Sequence, residues 1–591
     1  IPISTKISSA VVPERIPTAV AGIQVNFCKN PACPNFGVLP IAHSGSGPGA
    51  GKARRDNYAI SDARPDYPFL HCHGCGENPP LKSNLAVSEE RVRLLAVLKP
   101  RAAASCPNPR CANHGIPVST GTAHYVSFGR THSGSKRLRC KQCQRVFAVG
   151  APTRGQRAPH KNKTVFALLM NKSPFRRICE VADITPPTLY GKINWLHGQC
   201  LAFAAEREQA LLNGMTIPRL YLGTDRQDYV VNWTRQEDRR NVVLHAVGSA
   251  DNATGYVLGM HLNYDPGLVA AAVERAAALL GDPAKRQPWR QHALVWLKAD
   301  YDAATKRRQA RRTDSGQDLK AGIETAYEEA VERPDVEVSE VLGRGRRLPT
   351  HGMQVHAEYS LYGHFFFLKH LTAGAEKIRF FLDQDSGMRA ACLAAFEPDI
   401  KARRADAFYV RINKEMTVNQ KRASLAVAKA RFDEARKSHP TLAEFEVETM
   451  LIQERLRSMM ELGKWKDRWL IHPLPDMGEP EKAVCYLTDY RDYDQDHLAR
   501  LYGKASLHAI DRFFMQVRRR LSLLERPIQS SSARGRTWFG YSAYNPGVIV
   551  KLLGIFRVFY NYCLAGEDKK TPAMRLGLAK GKVSLEDIIY Y

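Results

Sequence analysis

Apolar and polar positions alternate along 219–233 (RLYLGTDRQDYVVNW), where Leu220, Leu222 and Tyr229 to Val231 suit a half-buried strand. Asp225 sits in the middle of it. A carboxylate there is costly to bury without a cation, and a metal ion is the usual partner where a strand lines a cleft. A hairpin turn at Gly223-Thr224-Asp225 is the alternative. The pattern predicts two more strands, 241–247 (NVVLHAV) and 254–262 (TGYVLGMHL), joined by a turn at 249–252, and an Ala-rich helix over 266–281. Residues 283–347 are charged and read as mostly helical, with a loop at 313–317. The apolar run 377–382 (KIRFFL) predicts a strand ending at Asp383. Asp383 follows the strand directly and suits a cleft ligand, whereas Asp385 suits a helix N-cap. Residues 417–460 read as amphipathic helix. A last helix, 506–524, carries Ile510, Phe513, Phe514 and Val517 on one stripe, with Asp511 near its start and Arg518-Arg519-Arg520 after it.

Upstream, 163–171 reads as a helix, and Ser173-Pro174 and Thr185-Pro186 each open another. Three short helices with a tight turn make a helix-turn-helix pattern, which places Thr188, Tyr190, Lys192 and Asn194 toward a major groove.

The 13 cysteines change the picture of the first third. Cys28-x4-Cys33 precedes Cys72-x2-Cys75, and Cys106-x4-Cys111 precedes Cys140-x2-Cys143. The first halves repeat, CKNPACPNFGVLP and CPNPRCANHGIPV. Two thiolate pairs at this spacing close a tetrahedral Zn²⁺ site, so two zinc ribbons are expected. Redox cysteines lack their usual βαβ context here. His71, His73 and His114 lie beside already complete four-sulfur sets. The loop 44–55 (SGSGPGAGKARR) lacks the Ser or Thr that a phosphate loop places after Lys52. Residues 129–147 are dense in cations: Lys136, Arg137, Arg139, Lys141 and Arg145 suit backbone phosphates or a solvated face.

The chain has 591 residues, too many for one core, and carries 86 Lys plus Arg against 59 Asp plus Glu, a net charge of +27. Nucleic acid is the first candidate partner for such an excess. No apolar run approaches a membrane span, and 1–20 lacks a secretory core. Paired cysteine clusters beside five single cysteines fit metal sites in a reducing, cytoplasmic setting.

The C-terminal stretch 540–581 carries Tyr560-Asn561 and then Thr571-Pro572-Ala573. Taken in order with the ribbons, the helix-turn-helix, the aspartate-bearing meander, Asp383, and an acid on a helix ahead of a basic run, this resembles the DDE-type (RNase H-like) bacterial insertion-sequence transposases. The resemblance implies an α/β multidomain chain: zinc ribbons over 1–100 and 101–158, a helix-turn-helix domain over 159–215, an RNase H-like mixed-sheet catalytic core over 216–400 and 501–591, and a helical insertion over 401–500. It implies Asp225, Asp383 and Asp511 as catalytic ligands of Mg²⁺ (or Mn²⁺). The family's third acid is usually glutamate, and Glu525 is the rival to Asp511. It implies double-stranded DNA, both transposon ends and target, as partner, with Arg518 and Arg519 among the DNA contacts. A homo-oligomer, at least a dimer, in a bacterial nucleoid-associated setting is expected. A catalytically silent DNA-binding regulator and a partner-binding scaffold are the other classes.

Overall fold

Tyr58, Leu70 and Cys72 turn inward on a hairpin of two short strands, β1 (Tyr58–Ser61) and β2 (Phe69–Cys72). The computed structural model describes residues 15–41, 56–61, 68–101, 104–118, 122–132, 135–150, 153, 155–233, 237–307, 318–332, 345–463, 465–525 and 541–591. The loop 44–55 and the predicted loop 313–317 fall outside these residues. Helix α1 (Asn84–Leu95) follows, capped by the Ser83 side chain on Ala86 N. The second ribbon is the three-stranded antiparallel sheet β3 (Tyr125–Arg130), β4 (Lys136–Cys140) and β5 (Val146–Val149).

Three helices come next, α2 (Asn162–Leu169), α3 (Phe175–Ala182) and α4 (Pro186–Leu212). The last runs well beyond the expected length. Its core stripe, Leu189, Ile193, Leu196, Cys200 and Phe203, continues at helical spacing, so burial carries the helix on to Leu212. Arg557 and Glu208 join its far end to the C-terminal helices through a buried ion pair, 2.7 Å.

The main sheet begins with β6 (Ile217–Val231), β7 (Val242–Asp251) and β8 (Val257–Leu262), an antiparallel meander. Strand β6 is continuous through 223–225, which removes the turn alternative for Asp225. β7 runs on through the expected turn at 249–252 because Asp251 accepts from Tyr221 N and Thr254 N, fixing the corner later. Two-residue strands β9 (Tyr264–Asp265) and β10 (Met353–Gln354) pair beside it. Between them lie α5 (Ala270–Leu279), α6 (Lys298–Arg307) and α7 (Leu319–Glu332).

Helix α8 (Ala357–Leu371) is buried on nearly every side and packs between α1 and the face of β7 and β8. Strand β11 (Ala375–Asp383) runs parallel to β6, and β12 (Ala405–Ile412) runs parallel to β11. Helices α9 (Ser386–Ala395) and α10 (Glu397–Lys401) make that crossover. After α11 (Val418–Ser438) and α12 (Glu444–Leu456), strands β13 (Met460–Leu462), β14 (Asp467–Ile471) and β15 (Lys482–Tyr486) extend the sheet. The eight strands lie in the order β13-β14-β15-β12-β11-β6-β7-β8. The chain closes with α13 (Gln495–Lys504), α14 (His508–Arg520), α15 (Pro546–Val558), α16 (Pro572–Leu576) and α17 (Leu585–Ile589).

The segment 401–500 is therefore not a helical insertion: only α11 and α12 project from it, while four of the eight sheet strands come from it. A strand buried on both faces reads as a continuous apolar run, without alternation, and β12 (ADAFYVRI) and β15 (KAVCY) are such runs.

Asp225 faces Gly248 across the β6–β7 ladder. A Cβ at Gly248 would meet Ile510 Cδ1 at 2.8 Å, Met260 Sδ at 3.1 Å and Phe514 Cε1 at 3.2 Å, so the missing side chain lets α14 lie on the sheet. Gly248→Val is expected to lower thermal stability by about 1–3 kcal/mol through overpacking, with Gly248→Ala intermediate, and to push α14 outward. A melting temperature equal to wild type for Gly248→Val would show that α14 does not depend on this contact.

Candidate active site and metal centres

The sulfur clusters are the tighter of the two kinds of site. Cys28, Cys33, Cys72 and Cys75 place one sulfur each within 4.8 Å of the others, and so do Cys106, Cys111, Cys140 and Cys143. Cys28 Sγ lies 3.5 Å from Cys75 Sγ, and Cys106 Sγ lies 3.4 Å from Cys143 Sγ. Cys33 to Cys72 is 3.8 Å and Cys111 to Cys140 is 3.7 Å. Four thiolates around a tetrahedral zinc at its usual bond length stand roughly 3.8 Å apart, so both sets fit Zn²⁺.

Around each set the chain repeats the same support. Asn35 Nδ2 donates to Cys72 Sγ and Asn113 Nδ2 to Cys140 Sγ, both at 3.3 Å. Tyr58 accepts from Cys28 N and donates toward Asn35 O; Tyr125 accepts from Cys106 N and donates toward Asn113 O. Burial raises the Cys140 thiol, but N–H groups of Cys143 and Gln142 and the Asn113 amide outweigh it and bring it down to about 6. The asparagines were visible in the CxN half of the sequence repeat; the tyrosines had no such mark. His71 and His73 stack edge-on to one another, and His114 bonds Cys106 O, so neither set needs a histidine.

The first ribbon is tied to the sheet. Arg389, one turn into α9, donates to Glu77 Oε1 at 2.8 Å and to Lys29 O at 3.1 Å. Lys82 and Glu358 form a buried pair at 2.6 Å. Helix α9 begins just after Asp383, so these bonds brace the end of the strand that carries it.

The acids meet at that end of the sheet. Leu382 pairs with Thr224 in the parallel β11–β6 ladder, which sets Asp383 beside Asp225. Asp511 comes from the first turn of α14. The approach to that helix is fixed by Glu479, which accepts from Ser506 Oγ at 2.6 Å and Leu507 N at 2.8 Å, and by Asn252, which donates to Ser506 O at 2.7 Å. Asp225, Asp383 and Asp511 line one cleft of about 880 Å³, together with Arg226, Lys414, Lys421, Arg512 and Arg518.

The three carboxyls feel one another. Burial and then Asp225 push Asp383 up to about 6, against Lys414 and Arg411. Burial raises Asp225, Lys414 lowers it and Asp511 raises it further. Burial likewise raises Asp511, with Lys414 opposing and Asp383 and Glu479 adding to the rise. Lys414 Nζ lies 3.3 Å from Asp225 Oδ2, and its ammonium is held strongly protonated by Asp225, Asp383 and Asp511 together. Among the described residues, the cysteine sets are the only groups of three or more His, Cys, Asp or Glu gathered within 4.8 Å, so the aspartates stand wider than the sulfurs.

Asp385 caps α9 through Gly387 N and Met388 N, as expected, and pairs with Arg226 at 3.6 Å. Glu525 lines the same cleft and is engaged by Lys172 at 2.7 Å. Lys414, Glu479 and Arg226 went unrecognised in the sequence. Lys414 and Glu479 lie far along the chain from the acids, and Arg226, though next to Asp225, carries no spacing signal of its own.

The predicted DNA-facing residues divide. Tyr190 is exposed and packs edge-on against Phe175, and Thr188 is half-buried beside Thr185. Lys192 is a correction: it is 1% exposed, and its ammonium donates to Arg157 O, Ala158 O and Asn162 Oδ1. It falls on the stripe of Leu189, Ile193 and Leu196, which faces the core, and cannot reach a groove. Asn194 is exposed and bonded by Lys551. Lys136 and Lys141 are exposed, Arg137 and Arg139 half-buried on the ribbon sheet, Arg518 faces the acid cleft, and Arg519 is exposed.

No helix among the described residues is long and apolar enough to cross a membrane. No family model matches this sequence, and no curated protein matches it.

The purified chain is expected to carry two zinc ions by elemental analysis, falling to one in Cys140→Ser, with Asn113→Ala weakening that site about 10–100-fold. One or no zinc in the wild type would remove the paired-ribbon assignment. A second expectation concerns pH. A carboxyl at about 6 when folded, against an ordinary value near 4, binds its proton more tightly in the folded state. Its contribution is therefore favourable below about pH 4 and is lost as pH rises through 6. In metal-free buffer without chelator, Asp383→Asn should be more stable than wild type at pH 7.5 by about 1–3 kcal/mol, with the difference vanishing near pH 4. A difference independent of pH would contradict the burial of Asp383 among anions.

Proposed function

We propose that this protein is a DDE-type DNA transposase that cuts transposon ends and joins them to target DNA. The observation that carries the reading is the convergence of Asp225, Asp383 and Asp511, from three distant segments, in one cleft rimmed by Arg226, Lys421, Arg512 and Arg518. Strand order supports it: an antiparallel meander β6-β7-β8, with β11 and β12 added in parallel on the β6 side, is the arrangement of an RNase H-like core, with acids on its first and fourth strands.

In this reading the three carboxylates hold Mg²⁺ (or Mn²⁺), for which hard oxygen donors are suited. The chemistry supplied by the metal is activation of a water or a 3′-hydroxyl and stabilisation of the departing oxygen. The protein's own residues supply position and charge. Gly248 and Glu479 set the depth and pitch of α14, and so the reach of Asp511. Arg226 Nη1, buried and without an acceptor, offers a donor toward a scissile phosphate. The helix-turn-helix and the basic second ribbon hold the DNA end, and pairing of two ends calls for at least a dimer.

A catalytically silent, transposase-derived regulator is the second reading. The ion pair of Lys414 with Asp225 favours it, because a tethered ammonium competes with a metal for that carboxylate. Metal-dependent nicking of terminal-repeat DNA separates the two. Asp225→Asn and Asp511→Asn are each expected to lower cleavage at least about a hundredfold while end binding survives, and Glu525→Gln to leave cleavage near wild type. Wild-type cleavage by Asp225→Asn would sink the enzymatic reading, and a collapse in Glu525→Gln alone would move the third acid to Glu525.

A further inference from the structure

The second ribbon repeats the sulfur chemistry of the first but not its surroundings. Residues 101–158 contain ten Lys and Arg and no Asp or Glu, and no acid occurs between Glu90 and Glu180. Around the first ribbon charges are paired, Arg15 with Asp56 and the ribbon's Glu77 with Arg389 of α9. In the second, Arg137, Arg139 and Lys141 pair with no carboxylate among the described residues, and Arg139 Nε is buried without an acceptor. No carboxylate among the described residues competes with an outside anion for them.

The sheet also presents an unusual outer face. Tyr125, Leu138 and Cys140 turn inward to the sulfur core. The register sets Val126 opposite Arg139, and Arg139 and Arg137 opposite Val146 and Ala148, so the outward positions carry Val126, Phe128, Arg137, Arg139, Val146 and Ala148. Phe128 is 42% exposed, and the Arg137 and Arg139 guanidinium carbons lie 5.3 and 5.4 Å from its ring centroid. An outward aromatic ring gains little from a DNA duplex, whose base faces are hidden and whose backbone asks only for charge. It gains from an unpaired base, since every base has a flat π-face to stack. Two guanidiniums held beside the ring are placed for the phosphates on either side of that base.

We propose that this face of the second ribbon is a single-stranded DNA site, with Phe128 as the stacking platform and Arg137 and Arg139 as its phosphate contacts. The inference rests on the transposase reading only for where such a strand arises, at an opened DNA end.

The test is fluorescence anisotropy on the full-length, zinc-loaded protein without Mg²⁺, using one labelled oligonucleotide as single strand, as duplex and with an abasic site. Phe128→Ala is expected to weaken single-strand binding about 5- to 150-fold, corresponding to one lost stack, while duplex binding holds and Phe128→Tyr behaves as wild type. Arg137→Gln and Arg139→Gln should each reduce the salt slope for the single strand by about 0.7. Unchanged zinc content shows that each variant keeps the ribbon folded. Equal losses on single strand and duplex, or no loss in Phe128→Ala, would overturn the proposal. Cleavage plays no part in this measurement, so its outcome is independent of whether the acid cleft is catalytic.

Discussion

Everything at the end of the main sheet is arranged around an electrostatic conflict. Three carboxylates are brought from water into one cleft, where each raises the proton affinity of its neighbours. Such a cluster is unfavourable for the folded chain unless cations accompany it. Lys414 is the nearest, and Arg411 and Arg518 act from further away. Folding contributes the remaining work: two parallel strands fix Asp225 and Asp383 side by side, and a helix pressed onto a glycine brings Asp511 to them. The cleft therefore costs stability and is held by packing on every side.

The two cysteine ribbons show one local design in different surroundings. Each uses a tyrosine hydroxyl and an asparagine amide to orient the sulfur loops. The first is then welded into the body by Arg389, Lys82 and Glu358, and its partner helix α9 starts beside Asp383. The second keeps its own small core and an acid-free, arginine-bearing surface.

Asn561 and Thr571 of the C-terminal stretch are structural. Asn561 both accepts from Val257 N and donates to Val257 O, locking the first residue of β8, and Thr571 caps α16. Beneath Asp225, Thr224, Ser249, His364 and His261 form a hydrogen-bonded chain with links of 2.7, 2.8 and 2.9 Å, and burial keeps both histidines neutral. This chain pins β6 and β7 to α8 directly under the cleft.

Local chemistry was legible in the sequence because it depends on near neighbours. The cysteine repeat named both metal sets, alternation found β6, the proline-bearing caps found α3 and α4, and a strand end found Asp383. What depended on distant partners was hidden. The interior strands β12 and β15 lost their period because both faces are buried, and Lys192 looked like a groove contact until its helix was packed. The presence of Lys414 among the acids follows from which elements lie side by side. Spacing along a chain encodes turns, ribbons and helix faces; only the packed sheet decides which charges share a cleft, because that proximity is set by register and close contact between segments hundreds of residues apart.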